Sequence, residues 1–261
     1  MRSMPRPLCF LTRIYPLLGT AGTALVSLAV LLSALIFSGK QAEPYSLLNH
    51  FISELGELGV SQAAWLFNLG LIIGGAFFIP CAVGLGLHLR SAWSLLGMAA
   101  GTGTGVFLAG VGVFPMNDLP PHAFTAMWFF RLGLMTVLLF GIAFAAQPRG
   151  QVRIRKPAIL FSVVAVAAYA GFLVMAGRPN AMGASSLDAS FAHRPGLWPL
   201  AAAEWAVFFA TILWFLGVSL MASRRPIGSN RRPAAGPRGP GSARSGRIPP
   251  PGPWPPIGKG G

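Results

Sequence analysis

Apolar residues gather in six long runs, at about residues 16–37, 65–88, 93–114, 121–146, 157–176 and 197–222. Each run is about 20 residues or more, enough for a helix to cross ~30 Å of hydrocarbon. The pattern predicts an all-α membrane protein, a six-transmembrane helix bundle occupying residues 1–222. Between the first two runs the periodicity changes. Leu47, Leu48, Phe51, Ile52, Leu55 and Leu58 fall on one helical stripe, while Asn49, His50, Ser53, Glu54 and Glu57 fall on the opposite arc. Gly59 follows as a C-terminal stop. This spacing predicts an amphipathic interfacial helix at the outer membrane face.

Composition supports the membrane reading. The chain is 54% hydrophobic and 10% charged, with a mean hydropathy of +0.62. A soluble domain carries roughly 25% charged residues. The net charge of +14 is not read as a nucleic-acid footprint, because the basic residues collect at the ends of the apolar runs. Sixteen of the twenty Lys and Arg residues fall on one side of the expected membrane. All six acids, Glu43, Glu54, Glu57, Asp118, Asp188 and Glu204, fall on the other or near it. The positive-inside pattern then predicts cytoplasmic N- and C-termini, in the plasma membrane. Residues 223–261 hold ten Pro, nine Gly and eight basic residues with no acid. They read as a disordered cytoplasmic tail that contacts anionic lipid head groups or simply enforces topology. Cys9 and Cys81 imply no disulfide framework.

Glycine recurs at Gly97, Gly101 and Gly105, and at Gly70 and Gly74. Small residues at this spacing let helix backbones approach closely. The short turn at 89–92 makes the second and third spans antiparallel neighbours, and their glycine faces are expected to meet.

The block Asn49-His50-Phe51-Ile52-Ser53-Glu54-Leu55-Gly56 is followed by Phe67-Asn68-Leu69-Gly70 and Gly74-Gly75. Then comes Gly112-Val113-Phe114-Pro115 with Asp118 and His122. In this order the blocks resemble domain-of-unknown-function family 998, multi-pass prokaryotic membrane proteins, over roughly residues 15–222. The Ile-Ser-Glu-Leu-Gly block also resembles the Ile-Ser-Asp-x-Gly signature of the Frag1/DRAM/Sfk1 family. The resemblance implies fold and location but no activity. It also implies an Arg soon after the Gly-Leu that opens the last span. Here Gly196-Leu197-Trp198 is followed by Pro199-Leu200, so an outer carboxylate must do without that cation or use another.

Candidate chemistry lies in the outer loops. Asn49, Ser53, Glu54, Asn68, Asp118 and His122 are candidates to line a ligand pocket, with Glu54 and Asp118 as possible general bases. His50, His122 and His193 with a carboxylate would make a zinc ligand set that leaves room for water. The simpler reading makes His50, Glu54 and Ser53 hydrogen-bonded ends of the amphipathic helix and His122 a loop cap. A Ser186-His193-Asp188 triad lacks any nucleophile-elbow motif. Arg131 and Glu204 lie within spans, where charges normally pair, and are expected to form an intramembrane ion pair. Asn68, one turn into the second span, needs a polar partner and is expected to find it in the Ile-Ser-Glu-Leu-Gly segment.

Three functions follow. The first is a protein that binds or senses a lipid or small ligand at an outward-facing polar pocket. The second is a membrane-embedded metal-dependent hydrolase. The third is a small transporter, although no internal repeat is visible.

Overall fold

Each apolar run forms one α-helix in the computed structural model, which describes residues 6–148, 152–178 and 194–223. The helices are α1 (Arg6–Leu35), α2 (Ala64–Leu89), α3 (Ala92–Val113), α4 (Leu119–Ala145), α5 (Pro157–Ala176) and α6 (Pro199–Ser223). All six are long and apolar enough to cross a membrane. They lie in the first of two units, Met1–Arg225. The expected tail at 223–261 falls, after Ser223, outside the described residues.

Hydrophobic side chains cover these helices all round, as befits segments with lipid on one side and protein on the other. Leu31, Leu96, Leu138, Leu160 and Leu213 face outward, while Val26, Phe140, Ala165 and Trp214 are buried. Every helix packs on its sequence neighbours, and α6 returns to pack on α1. The result is a closed ring of six helices in chain order. α1 begins at Arg6, ten residues before the expected start, and runs through Pro16. Proline normally sits in a first turn because it lacks an N–H. Here tertiary packing holds the extension: Tyr15 is buried and lies against Gly84 of α2, where any Cβ would strike it.

Glycine sets the helix spacing on both faces of α2. Gly70 and Gly74 face α1, meeting Ala29 and Val26. Gly75, one residue on, faces α3 and abuts the Gly105 carbonyl. Gly101 meets Ala82 of α2, whereas Gly97 faces Phe140 of α4. The two glycine stripes therefore do not simply meet; each is shared among neighbours. Between α2 and α3, Arg90 adopts the left-handed conformation at φ 57° and donates its N–H to Gly86. Ser91 then caps α3 by accepting from the Ser94 N–H at 3.1 Å. The chain thus reverses within two residues.

At the other end of the ring the structure departs from expectation. Residues 47–58 do not form an amphipathic α-helix. They form turns and one short 3-10 helix, Ile52–Gly56, that packs on α1, α2 and α6. The expected polarity is partly inverted. Leu47, Leu48 and Leu58 are exposed, while His50, Ser53 and Glu54 are buried. The reason is tertiary. The polar arc of this segment finds hydrogen-bonding partners inside the bundle, so it turns inward to them, and Leu55 and Phe51 fill the space between.

Candidate functional site: a capped apolar cavity

The segment at 38–63 sits in one end of the ring as a plug. Its polar groups are satisfied by side chains from elements distant in sequence. The Glu54 carboxylate first accepts the Phe51 N–H at 2.8 Å, closing the 3-10 helix on itself. It then receives the Arg194 guanidinium through two contacts, 3.1 Å to Oε1 and 2.5 Å to Oε2. Such a forked pairing fixes geometry as well as charge. The side chains are 3% and 13% exposed. Arg194 also donates to the Asn49 carbonyl at 3.0 Å. Asn49 Nδ2 donates to the Pro195 carbonyl at 2.9 Å, and the Trp198 N–H donates to the Leu48 carbonyl at 2.8 Å. Residues 194–198, leading into α6, are thereby laced to 48–54.

Arg194, which holds this end of the ring together, is absent from the residues that the sequence singled out. It was visible as one of few basic residues on the acid-rich side. The absence of the Arg that the family resemblance leads one to expect after Gly196-Leu197 was the signal that another cation had to serve.

Around this pair lies a second polar shell. Glu43 lies 3.8 Å from His50 Nε2 and 3.9 Å from Arg194 Nε. Lys40 bridges to Glu57 at 2.9 Å. His50 packs among Phe37 and Tyr45, and its Nδ1 lies 2.9 Å from Asn49 Oδ1. Asn49 uses its Nδ2 on Pro195, so its oxygen faces the ring, and the Ser46 N–H donates to the same Nδ1 at 3.3 Å. Burial pushes the His50 pKa down to about 4, the Arg194 charge adds to this, and Glu43 opposes it. Burial pushes the Glu54 carboxyl above its ordinary range, against the opposing hydrogen bonds and charge of Arg194.

Beneath the plug is an apolar cavity of ≈ 80 Å³. Its walls come from α1, α2, α3, α4 and α6, with Val26, Leu71, Phe78, Leu108, Ala126, Phe130, Val207 and Phe215 among them. Three polar side chains stand at its plugged end, Ser53, His122 and Glu204, in a lining that is almost wholly apolar. Thr104 and Thr211 also line it, but each spends its hydroxyl proton on nearby partners, Thr104 with Ala100 and Thr136, Thr211 with Val207 and Tyr169. His122 donates Nδ1–H to the Phe114 carbonyl at 2.8 Å. Glu204 Oε2 accepts the Ile52 N–H at 2.8 Å.

The pocket candidates therefore separate. Ser53 and His122 line the cavity. Glu54 is committed to Arg194 and Phe51. Asn68 pins the plug by donating to the Gly56 carbonyl at 2.9 Å. Asn49 holds Pro195. Asp118 is exposed at the start of α4, where its carbonyl receives the His122 N–H at 3.1 Å.

Arg131 and Glu204 do not pair. Cavity-facing positions on α4 are 122, 126, 129 and 130, a single helical stripe. Residue 131 falls beyond that stripe, so Arg131 is exposed, with its guanidinium carbon 5.6 Å from the centroid of the Trp128 ring. As for the zinc set, His50 is in the plug's aromatic cluster and His122 is on the cavity wall, while His193, Asp188 and Ser186 lie outside the described residues. Among the described residues no three His, Cys, Asp or Glu side chains come together to hold a metal ion.

Two outcomes test this geometry. Arg194→Ala leaves Glu54 buried with a backbone donor alone and lowers stability in detergent by about 3 kcal/mol. Adding Glu54→Ala restores part of that loss, and simple additivity in the double-mutant cycle would show that the two do not interact. His50 has a folded pKa below its unfolded one. Between pH 6.5 and about 4 the unfolded chain therefore binds the extra proton, and stability falls as pH drops through that window. Wild type should lose stability there relative to His50→Gln in pH-dependent thermal unfolding, and parallel curves would contradict the burial of a neutral ring.

No curated protein and no solved structure matches the chain. Residues 24–221 match the model of a family described as protein of unknown function (DUF998). That match covers the plug, the cavity walls and the spans from residue 24 of α1 to residue 221 of α6, and this multi-pass membrane protein belongs to the DUF998 family.

Proposed function

We propose that the chain binds a membrane lipid by one hydrocarbon chain, held in the cavity at the centre of the helix ring beneath the plug. The observation that carries this reading is the cavity itself, ≈ 80 Å³ of space with apolar walls and polar groups at one end. A water needs only about 10–15 Å³ of such volume but also two to four polar partners, and dry apolar cavities take apolar guests instead. Glu204 is five residues into α6 and Phe215 sixteen, so the walls extend about 16 Å along the helix axis at 1.5 Å per residue. A narrow apolar slot with a polar end matches an amphiphile in shape and polarity.

The acid-rich plug faces the outside of a prokaryotic plasma membrane in this reading, and both termini face the cytoplasm. The support is charge. Arg13, Arg90, Arg153, Arg155 and Lys156 gather at the end of the ring opposite the plug, as the positive-inside rule requires of a cytoplasmic face.

Two measurements test these statements. In a Cys9→Ser background, a membrane-impermeant maleimide applied to intact cells should label Leu47→Cys and spare Ala146→Cys; the reverse pattern would invert the orientation. Mass spectrometry of the gently extracted wild type should find a co-purifying lipid that Ala126→Trp, with an indole filling the cavity, no longer retains. Equal lipid in a folded Ala126→Trp sample would place the lipid elsewhere.

A further inference from the structure

With Glu204 ionised, the free groups at the polar end of the cavity all accept hydrogen bonds. Glu204 is 8% exposed and His122 7% exposed, so both face the cavity rather than bulk water. Glu204 spends Oε2 on the Ile52 N–H, and its second carboxyl oxygen makes no hydrogen bond within the described protein. His122 donates Nδ1–H to the Phe114 carbonyl. In the neutral ring that bond makes Nε2 a bare acceptor. Ser53 directs its hydroxyl proton to Met116 Sδ at 3.7 Å, which leaves the oxygen lone pairs available. Three acceptors thus line one end of the cavity, and one of them is an acid.

No described cation balances that acid. Arg194, the basic side chain of the plug, is forked onto Glu54. Arg131 lies on the outer face of α4 over Trp128. A buried carboxyl without a counter-ion avoids the cost of its charge by keeping a proton, and a primary amine entering the cavity can take that proton and leave an ammonium–carboxylate pair.

We propose that the cavity selects a single-chain amphiphile with a primary ammonium head, its nitrogen donating to Glu204, His122 Nε2 and Ser53 Oγ. An alkylammonium has three donors, no acceptor and one positive charge, like a lysine head group. It answers every unsatisfied feature of this end of the cavity. A hydroxyl head satisfies one acceptor and brings no charge. A carboxylate or phosphate head meets Glu204 as a like charge. This selectivity rests on the lipid-chain reading above.

The test uses the full chain in nanodiscs of zwitterionic phosphatidylcholine, with empty nanodiscs as control. Octylamine, 1-octanol and octanoate are titrated, and binding is followed by the thermal shift of the protein. Octylamine should bind about tenfold tighter than 1-octanol, and Glu204→Gln should remove that preference while 1-octanol binding persists. Persistence of 1-octanol binding also shows that the variant is folded. Glu204→Asp keeps the charge and should keep the preference for the amine. Equal binding of octylamine and 1-octanol, tighter binding of octanoate, or an amine preference untouched by Glu204→Gln would overturn the ammonium assignment and leave the chain-binding cavity standing. Failure of all three probes to bind would sink the cavity reading together with this one.

Discussion

A stretch of non-helical backbone seated among apolar helices must find a partner for every N–H and C=O it buries, because no water is at hand to supply one. The architecture at the plugged end of the ring follows from that constraint. Local turns meet part of it, as in the His50 N–H to Ser46 and the Ser61 N–H to Glu57. Distant side chains meet the rest. Glu204 takes the Ile52 N–H, Asn68 serves the Gly56 carbonyl and Trp205 serves His50. Asn117 binds both the N–H and the carbonyl of Leu58. Among the buried polar residues of the spans, Ser33, Asn68 and Glu204 serve the plug in this way, while Thr23, Thr104, Ser162 and Thr211 bond within or between the helices.

The two buried carboxylates of this region are treated differently. Glu54 caps the 3-10 helix and also receives Arg194. Its desolvation is balanced by a guanidinium, and the pair ties the plug to the lead-in of α6. Buried pairs of this kind add little net stability but fix register. Here the register fixed is that of two segments 140 residues apart. Glu204 has only a backbone donor and stands at the head of an apolar cavity. One acid is closed within the protein and the other is left open to a guest.

Ring closure explains why a cavity exists at all. Six helices in chain order, with α6 against α1, enclose a centre that no further helix of the described residues occupies. Glycine contacts draw α1, α2 and α3 close together, and large rings such as Phe78 and Phe215, stacked at 4.2 Å, fill much of the middle. What remains lies beneath the plug, where Ala126 and Val111 leave room that an aromatic side chain would have taken.

By itself the sequence determined the six spans, the family resemblance, and the concentration of polar chemistry near the 49–56 block. Those properties follow from composition and period, because hydrocarbon imposes a length and an apolarity on each segment separately. It also showed that Asn68 needed a polar partner, since an amide in a span must be satisfied. The tertiary structure alone decided which polar group meets which. Glu54 found Arg194 rather than a cation after Gly196-Leu197, and Glu204 found the Ile52 N–H rather than Arg131. The helical stripe read at 47–58 was real as a pattern, yet the segment turned its polar arc inward. Periodicity reports the preference of an isolated helix at a flat interface. The ring instead offered Arg194, Asn68 and Glu204 from three different places in the chain, and no local pattern encodes that convergence.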